Sequence, residues 1–257
     1  MLNSTKRFSS RVENYVNYRP RYPAEVLNTL QQECGLTAAS VIADVGSGTG
    51  FLSELFIANG NSVFAIEPNL EMRTAGEQYL GNNPKFTSID GTAENTTLAN
   101  QSVDFVVAGQ AFHWFERSQS MGEFARILKS TGWVMLVWNE RDTSSTPFLV
   151  AYEQLLKTYS LDYGQVNHKR IDRAVLSDCF SPSEIYEKRA SYTQTFDYEG
   201  IKGRMLSSSY VPEIGQRNHE EMVARLNEIF REHSVSDRIH FKYTTRMFYG
   251  QISPSTL

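Results

Sequence analysis

Along this chain, short runs of β-forming residues alternate with stretches whose apolar residues recur every three or four positions. Residues 41–45, 62–67, 85–89, 103–109 (VDFVVAG) and 133–138 (WVMLVW) read as strands. Helical spacing fills the gaps. One helix over 49–58 stops at Asn59–Gly60, and a second opens at Pro68–Asn69 with Leu70, Met72 and Ala75. A third, MGEFARILKS over 121–130, ends near Gly132. Alternation of this kind builds a parallel sheet covered by helices on both faces. Upstream, a short helix runs from about Val12 toward Tyr18 and is broken by Pro20 and Pro23. The next, PAEVLNTLQQECG, places Val26, Leu27 and Leu30 on one face and ends at Gly35. After Trp138 the rhythm loosens. Residues 148–160 read as a helix, and 161–182 are mixed and suited to covering a site. A strand follows at 185–196, then helices at 199–208 and 217–232, then a last aromatic-rich strand, IHFKYTTRMFYGQI.

The expected fold class is therefore α/β, a doubly wound, mostly parallel seven-stranded sheet with a helical cap. No internal repeat or low-complexity linker divides the chain, so one domain is expected over 1–257. Within it, 1–35 form an N-terminal lid segment and 36–140 the core. Residues 141–182 and 199–232 supply cap helices, and 183–198 and 239–252 supply C-terminal strands. The 257 residues, 40% hydrophobic and 21% charged, suit a globular protein of that size. A net charge of −4, with no lysine–arginine block, argues against a nucleic-acid partner. Two cysteines, Cys34 and Cys179, do not make a disulfide framework. The first residues lack an apolar secretion core, and no run of 18 apolar residues exists. A cytoplasmic protein is expected, a monomer or homodimer acting on a small molecule, with no membrane or metal involved.

The chemistry concentrates in VIADVGSGTG, residues 41–50. A buried strand carries Asp44 into a turn with Gly46, Gly48 and Gly50, and a helix follows. Such a turn brings backbone N–H groups and a helix N-terminus to a ligand. A dinucleotide loop would read G-x-G-x-x-G, but Phe51 stands at its last position and would obstruct a pyrophosphate. The pattern suits an adenosine-bearing cofactor with a carboxylate and an ammonium and no phosphates. Asp44 can orient that ammonium or tie down the loop. Glu67, at the carboxyl end of the next strand, can accept both ribose hydroxyls. Asp90–Glu94 (DGTAE) can frame the adenine or simply close a turn.

Taken in order, VIADVGSGTG, FAIEPNLEMR, DGTAENTTL, SVDFVVAGQAFHWF and FARILKSTGWVMLVWNERD resemble the class I S-adenosylmethionine-dependent methyltransferases. Within them the chain is similar to the methyltransferase type 11 group and its trans-aconitate methyltransferase-like branch. The resemblance implies a Rossmann-like methyltransferase fold and S-adenosyl-L-methionine as cofactor, with S-adenosyl-L-homocysteine as product. It also implies residue roles. Asp44, Gly46, Ser47, Gly48 and Gly50 wrap the methionine part, with Gln110 and Ala111 lining the same side. Glu67 binds the ribose, and Pro68, Asn69 and Met72 pack on the adenine. Gly91, Thr92 and Ala93 reach the adenine edge, where Thr92 departs from the acid many relatives carry. Tyr15 and Arg19, in the segment leading into YRPRYP, help close the pocket.

For the acceptor side, the strand end GQAFHWF offers His113, which can orient an acceptor, act as a base, or merely pack, and Trp114 as a wall. Tyr18, Tyr22, Arg141, Arg204 and Tyr210 are candidates to hold an acidic acceptor, the arginines through paired hydrogen bonds. Methyltransferases acting on adenine amino groups or glutamine amides resemble one another in an Asn/Asp-Pro-Pro-Tyr segment after the fourth strand; this chain has Gly109, Gln110, Ala111 and Phe112 there, so the resemblance argues against amide or base-nitrogen methylation. The expected function is methyl transfer to a small acceptor, a carboxylate or hydroxyl. Alternatives are C- or O-methylation of a larger aromatic or quinone-type metabolite, a nicotinamide-dependent oxidoreductase, and an inactive cofactor-binding protein.

Overall fold

Turn chemistry sets the element boundaries, seen here in a computed structural model that describes residues 12–163 and 173–252. The first eleven residues of the expected lid segment, residues 164–172 of the expected cover and the last five residues lie outside the described residues. Helix α1 spans Val12–Tyr18 and α2 Glu25–Cys34, closed by Gly35 in the left-handed region (φ 72°). Strand β1 is Val41–Val45, α3 Phe51–Asn59 and β2 Ser62–Ile66. Helix α4, Leu70–Leu80, starts at Asn69, whose side chain accepts from the Met72 N–H. Strands β3 (Phe86–Ile89) and β4 (Val103–Gly109) follow, then a 3₁₀ turn at Phe112–Trp114. Helix α5, Arg117–Ile127, is capped by Glu116, and β5 is Leu128–Arg141. Helix α6, Pro147–Tyr159, has Thr146 as its cap and proline in its first turn. The remainder is α7 (Arg173–Phe180), β6 (Tyr186–Phe196), α8 (Tyr198–Leu206), α9 (His219–His233) and β7 (Ile239–Gly250).

The seven strands form one sheet in the order β3-β2-β1-β4-β5-β7-β6. All pairs from β3 to β5 are parallel, and β7 runs antiparallel to both neighbours. The order reverses between β1 and β4, which opens a crevice beyond their carboxyl ends. Apolar side chains on the two faces of the sheet form two core clusters, one around Phe112, Phe124 and Val106, the other around Leu30, Phe56 and Met135. A third cluster, with Tyr152, Met205, Leu226 and Phe241, belongs to the cap.

One boundary differs from the sequence expectation. The expected helix over 121–130 ends at Ile127, and β5 begins at Leu128, five residues before the expected strand. Leu128 pairs with Val103, and regular pairing resumes at Trp133 opposite Phe105. The buried Leu128 side chain and the Lys129–Asp104 ion pair at 2.8 Å hold this irregular stretch against β4. The helical spacing that runs on through 130 is outweighed by tertiary contacts.

The N-terminal segment is bound to the cap. At Gly203 on α8 an added Cβ would fall inside the Tyr18 ring, so the aromatic ring of α1 seats directly on helix backbone. No helix among the described residues is long and apolar enough to cross a membrane. Gly203→Ala is expected to cost about 1–3 kcal/mol through overpacking, read by urea titration. A Gly203→Ala, Tyr18→Ala double variant is expected to lose less than the sum of the two single losses.

Candidate active site

The loop after β1 needs its glycines. Gly46, Gly48 and Gly50 have φ of 69°, 58° and 86°, a region that side chains strain to occupy. Space is short as well. A Cβ on Gly46 would lie 2.6 Å from Ala111 Cβ, and one on Gly48 would lie 3.3 Å from Met72 Cε. The Gly46 and Ser47 N–H groups both donate to the Ile66 carbonyl, at 2.9 and 3.1 Å, which ties the loop to the end of β2. Together with the ends of β4 and β5, the N-terminal segment and the cap, the loop bounds a cleft of about 280 Å³.

Most of the methionine-side candidates meet in this cleft: Tyr15, Arg19, Asp44, Gly46, Ser47, Gly48 and Gln110 all line it. Asp44 is fully buried. Its Oδ2 accepts from Ser53 Oγ at 2.7 Å, while its Oδ1 has no partner. Burial raises the carboxyl pKa to about 7 against the opposing bond from Ser53. Thr49 Oγ1, also buried and without a partner, faces the same cleft. Gly50 lies behind the wall, where a Cβ would collide with Leu80. Ala111 is buried against Gly46.

The ribose and adenine candidates lie outside the cleft walls. Glu67 is 8% exposed, and its carboxylate accepts from Gly48 N at 2.9 Å and Asn69 N at 2.8 Å. An ionised carboxylate accepts about four hydrogen bonds, so capacity remains for a ligand. Met72 packs under Gly48, Asn69 caps α4, and Pro68 is exposed. The segment carrying Gly91 and Thr92 turns back on itself through Thr92 N to Asn95 O (3.1 Å) and Asn95 N to Thr92 Oγ1 (3.2 Å). Ala93 is buried in the core. Arg73 clips Asp90 in a bidentate pair at 3.1 Å and donates to the Glu67 carbonyl at 2.8 Å.

On the acceptor side, Tyr22, His113, Trp114, Arg141, Arg204 and Tyr210 all line the cleft, whereas Tyr18 is turned away onto Gly203. The His113 and Trp114 rings lie 4.9 Å apart on the 3₁₀ turn, anchored by the buried Phe112. The arginines converge but are not equivalent. Arg141 pairs through Nη2 with Glu153 and donates from it to the Tyr163 hydroxyl at 2.8 Å, and its Nη1 is buried and without a partner. Arg204 is 6% exposed and donates to the Tyr243 hydroxyl (2.9 Å) and Ser208 Oγ (3.2 Å). Arg19 donates to the Ser207 carbonyl at 3.0 Å, and its buried Nε has no partner. Burial and the neighbouring Arg204 both push the Arg19 pKa down. Among the described residues, neither Arg19 nor Arg204 has an acidic partner within ion-pair distance.

Sequence reasoning passed over Asn139 and Tyr163, which also line the cleft. Asn139 lies at the carboxyl end of β5, where the rule that ligands gather beyond strand ends points to it. Tyr163 follows α6 in a stretch without a readable pattern.

The chain is similar to known proteins in sequence and in fold. Residues 43–136 match the family model of a methyltransferase domain, Methyltransf_11. An uncharacterised methyltransferase of Schizosaccharomyces pombe is 27% identical over 97% of this chain and 98% of its own length. One from Mycobacterium bovis is 37% identical over 52% of this chain and 53% of its own. A solved methyltransferase structure from Anaeromyxobacter dehalogenans superposes with a TM-score of 0.66 at 18% identity, covering 91% of this chain and 98% of that one. The strand order is that of the solved methyltransferase fold, and the sequence similarities support an S-adenosylmethionine-dependent methyltransferase whose matched domain covers residues 43–136.

Proposed function

We propose that the cleft binds S-adenosylmethionine and methylates a small acceptor that carries a carboxylate. The observation that carries this reading is the buried Arg204 beside the half-buried Arg19, with no acid paired to either among the described residues. Burying a cation without a counter-charge is costly, and an anionic ligand relieves that cost. The cofactor brings one carboxylate. A second anion answers the other guanidinium.

The residues present fit the cofactor. The orphaned Asp44 Oδ1 would accept from an ammonium, the free Arg19 Nε would donate to a carboxylate, and the left-handed glycines leave room for close backbone approach. Glu67 would take the ribose hydroxyls with its remaining acceptor capacity. S-adenosylmethionine supplies a methyl group already activated on a sulfonium, so the protein's part is alignment and exclusion of water. Arg204, with Tyr210 and the Arg141 Nη1, would orient the acceptor. Tyr15, stacked on Phe51 with ring centroids 5.9 Å apart, would shut the other end. A carboxylate oxygen attacks without losing a proton; a hydroxyl acceptor would need a base, for which His113 on the cleft wall is the candidate. The converging arginines favour the carboxylate over a large quinone-type ring, which calls for a broad apolar wall.

Titration calorimetry is expected to show micromolar binding of S-adenosylmethionine and S-adenosylhomocysteine and none of NAD; the reverse pattern overturns the reading. In a labelled-methyl screen of small carboxylic acids, Arg204→Lys is expected to keep cofactor affinity within about threefold. Its kcat/KM should fall about 30- to 100-fold, the worth of a charge-assisted hydrogen-bond pair. Unchanged kcat/KM removes Arg204 from the acceptor site.

Asp44 yields a pH signature. Its carboxyl ionises near 4 in the unfolded chain and at about 7 when folded. Between those values the unfolded state binds fewer protons, so this group lowers stability as pH rises from 4 to 7, by on the order of 4 kcal/mol, and contributes no further slope above that. Urea titrations of ligand-free protein across pH 4–8 are expected to show this slope, and Asp44→Asn to flatten it.

A further inference from the structure

Asn139 joins parts of the cleft that the backbone alone leaves separate. It stands near the carboxyl end of β5, directly opposite Thr245 of β7. Its Oδ1 accepts from Thr245 Oγ1 at 2.6 Å, and its Nδ2 donates to the Arg21 carbonyl at 3.2 Å. Its own carbonyl accepts from Gln110 Nε2 at 3.0 Å. The side chain is buried and Thr245 is fully so. These partners settle which way the amide points. Turned over, it would set Oδ1 against the Arg21 carbonyl oxygen, two acceptors with no proton between them.

Of the two groups it holds, Gln110 lines the cleft, and Arg21 lies in the chain between Pro20 and Tyr22, which both line it. Gln110 lines the cleft with its backbone in the left-handed region (φ 56°), a conformation that a non-glycine residue keeps only where its surroundings fix it. Arg21 belongs to the strap that carries Arg19 and Tyr22 across the cleft mouth. Arg21 is also held by a backbone hydrogen bond with Tyr192 and, at its side chain, by an outward and wet contact. The guanidinium lies 3.8 Å from the Phe51 ring centroid and pairs with Glu54 at 3.1 Å, both ion-pair partners being more than a third exposed. Such a surface pair contributes little. The amide of Asn139 is a sheltered tether, buried at the end of the sheet. The neighbouring Tyr22 hydroxyl rests where a Cβ on Gly109 would stand, so the strap seats correctly only when drawn fully onto the sheet end.

We propose that Asn139 is a positioning residue: its side chain holds the strap at Arg21 beside the Gln110 side chain, which its backbone carbonyl anchors, in a single closed arrangement over the cleft. Thr245 orients it and so links that arrangement to the register of β7. The kinetic consequence rests on the proposed cofactor site; the tether does not.

The test is amide hydrogen exchange of the full ligand-free chain, with cofactor affinity and turnover measured on the same variants. Asn139→Asp is nearly isosteric, keeps the acceptor for Thr245 and replaces the donor to Arg21 with an oxygen. Thr245→Val leaves Asn139 intact and removes what orients it. Asn139→Asp is expected to speed exchange in the 15–22 segment about tenfold, with β1 and β4 amides within about twofold. Thr245→Val should do the same to a smaller degree. The KM for S-adenosylmethionine should rise about tenfold while kcat changes less than threefold. Unchanged exchange in the strap overturns the tether, and so does acceleration shared equally by β1 and β4, which marks general destabilisation. Faster strap exchange with unchanged KM overturns the positioning role. If the wild type binds no cofactor while its strap responds as expected, the cofactor reading fails and the tether stands.

Discussion

Much of this molecule hangs on the reversed direction of β7. A parallel sheet ends where its strands end, and its crevice lies open beyond them. Because β7 runs antiparallel to β5, its early residues lie beside the last residues of β5, with Tyr243 opposite Arg141 and Thr245 opposite Asn139. One strand thus serves two cores. Met247, Phe248 and Tyr249 pack into the sheet layers, and Ile239, Phe241 and Tyr243 pack under α6, α8 and α9. The cap is a continuation of the sheet's own packing, and its position over the crevice follows from strand pairing. The same strand supplies the phenol that receives Arg204 and the hydroxyl that orients Asn139.

Charge in the crevice is arranged against the protein's own stability. Arg141 has Glu153, which satisfies it and leaves one nitrogen over. Arg19 and Arg204 repel each other and have phenol, hydroxyl and carbonyl oxygens where a carboxylate would serve better. Asp44, in the same lining, is held half-satisfied. A core evolved for stability alone would pair these groups or replace them. Their unmet valences have complementary signs within one cleft. Pre-placed donors and acceptors of this kind need no reorganisation on binding, and that is the form of catalysis open to a site whose reactant arrives already activated.

The sheet was readable because its signals are local. Residues 41–45 and 103–109 are strands as their apolar runs predict, and Gly35 and Asn69 act as the stop and start signals they resemble. The glycine loop was readable for the same reason, since left-handed backbone is written in the residue that tolerates it. Convergence was not. Arg19, Arg141 and Arg204 are separated by long stretches of chain, and nothing near any one of them states that it faces the others. Asn139 was invisible on different grounds. Its importance comes from three partners at residues 21, 110 and 245, and an isolated asparagine at a strand end has no periodicity to betray it.

Glu67 shows how far a motif reading carries and where structure adds to it. As a strand-end acid it suggested a ribose acceptor. Its carboxylate also holds the Gly48 N–H of the glycine loop and the Asn69 N–H at the start of α4. Burial raises its pKa while those two N–H groups and Arg73 oppose the rise. One carboxylate thus joins the glycine loop to the start of α4, with Met72 wedged under Gly48 between them. Removing this acid would slacken the loop as well as delete an acceptor. Loss of affinity on Glu67→Ala therefore cannot be divided into a contact and a geometry, because the same two oxygens supply both.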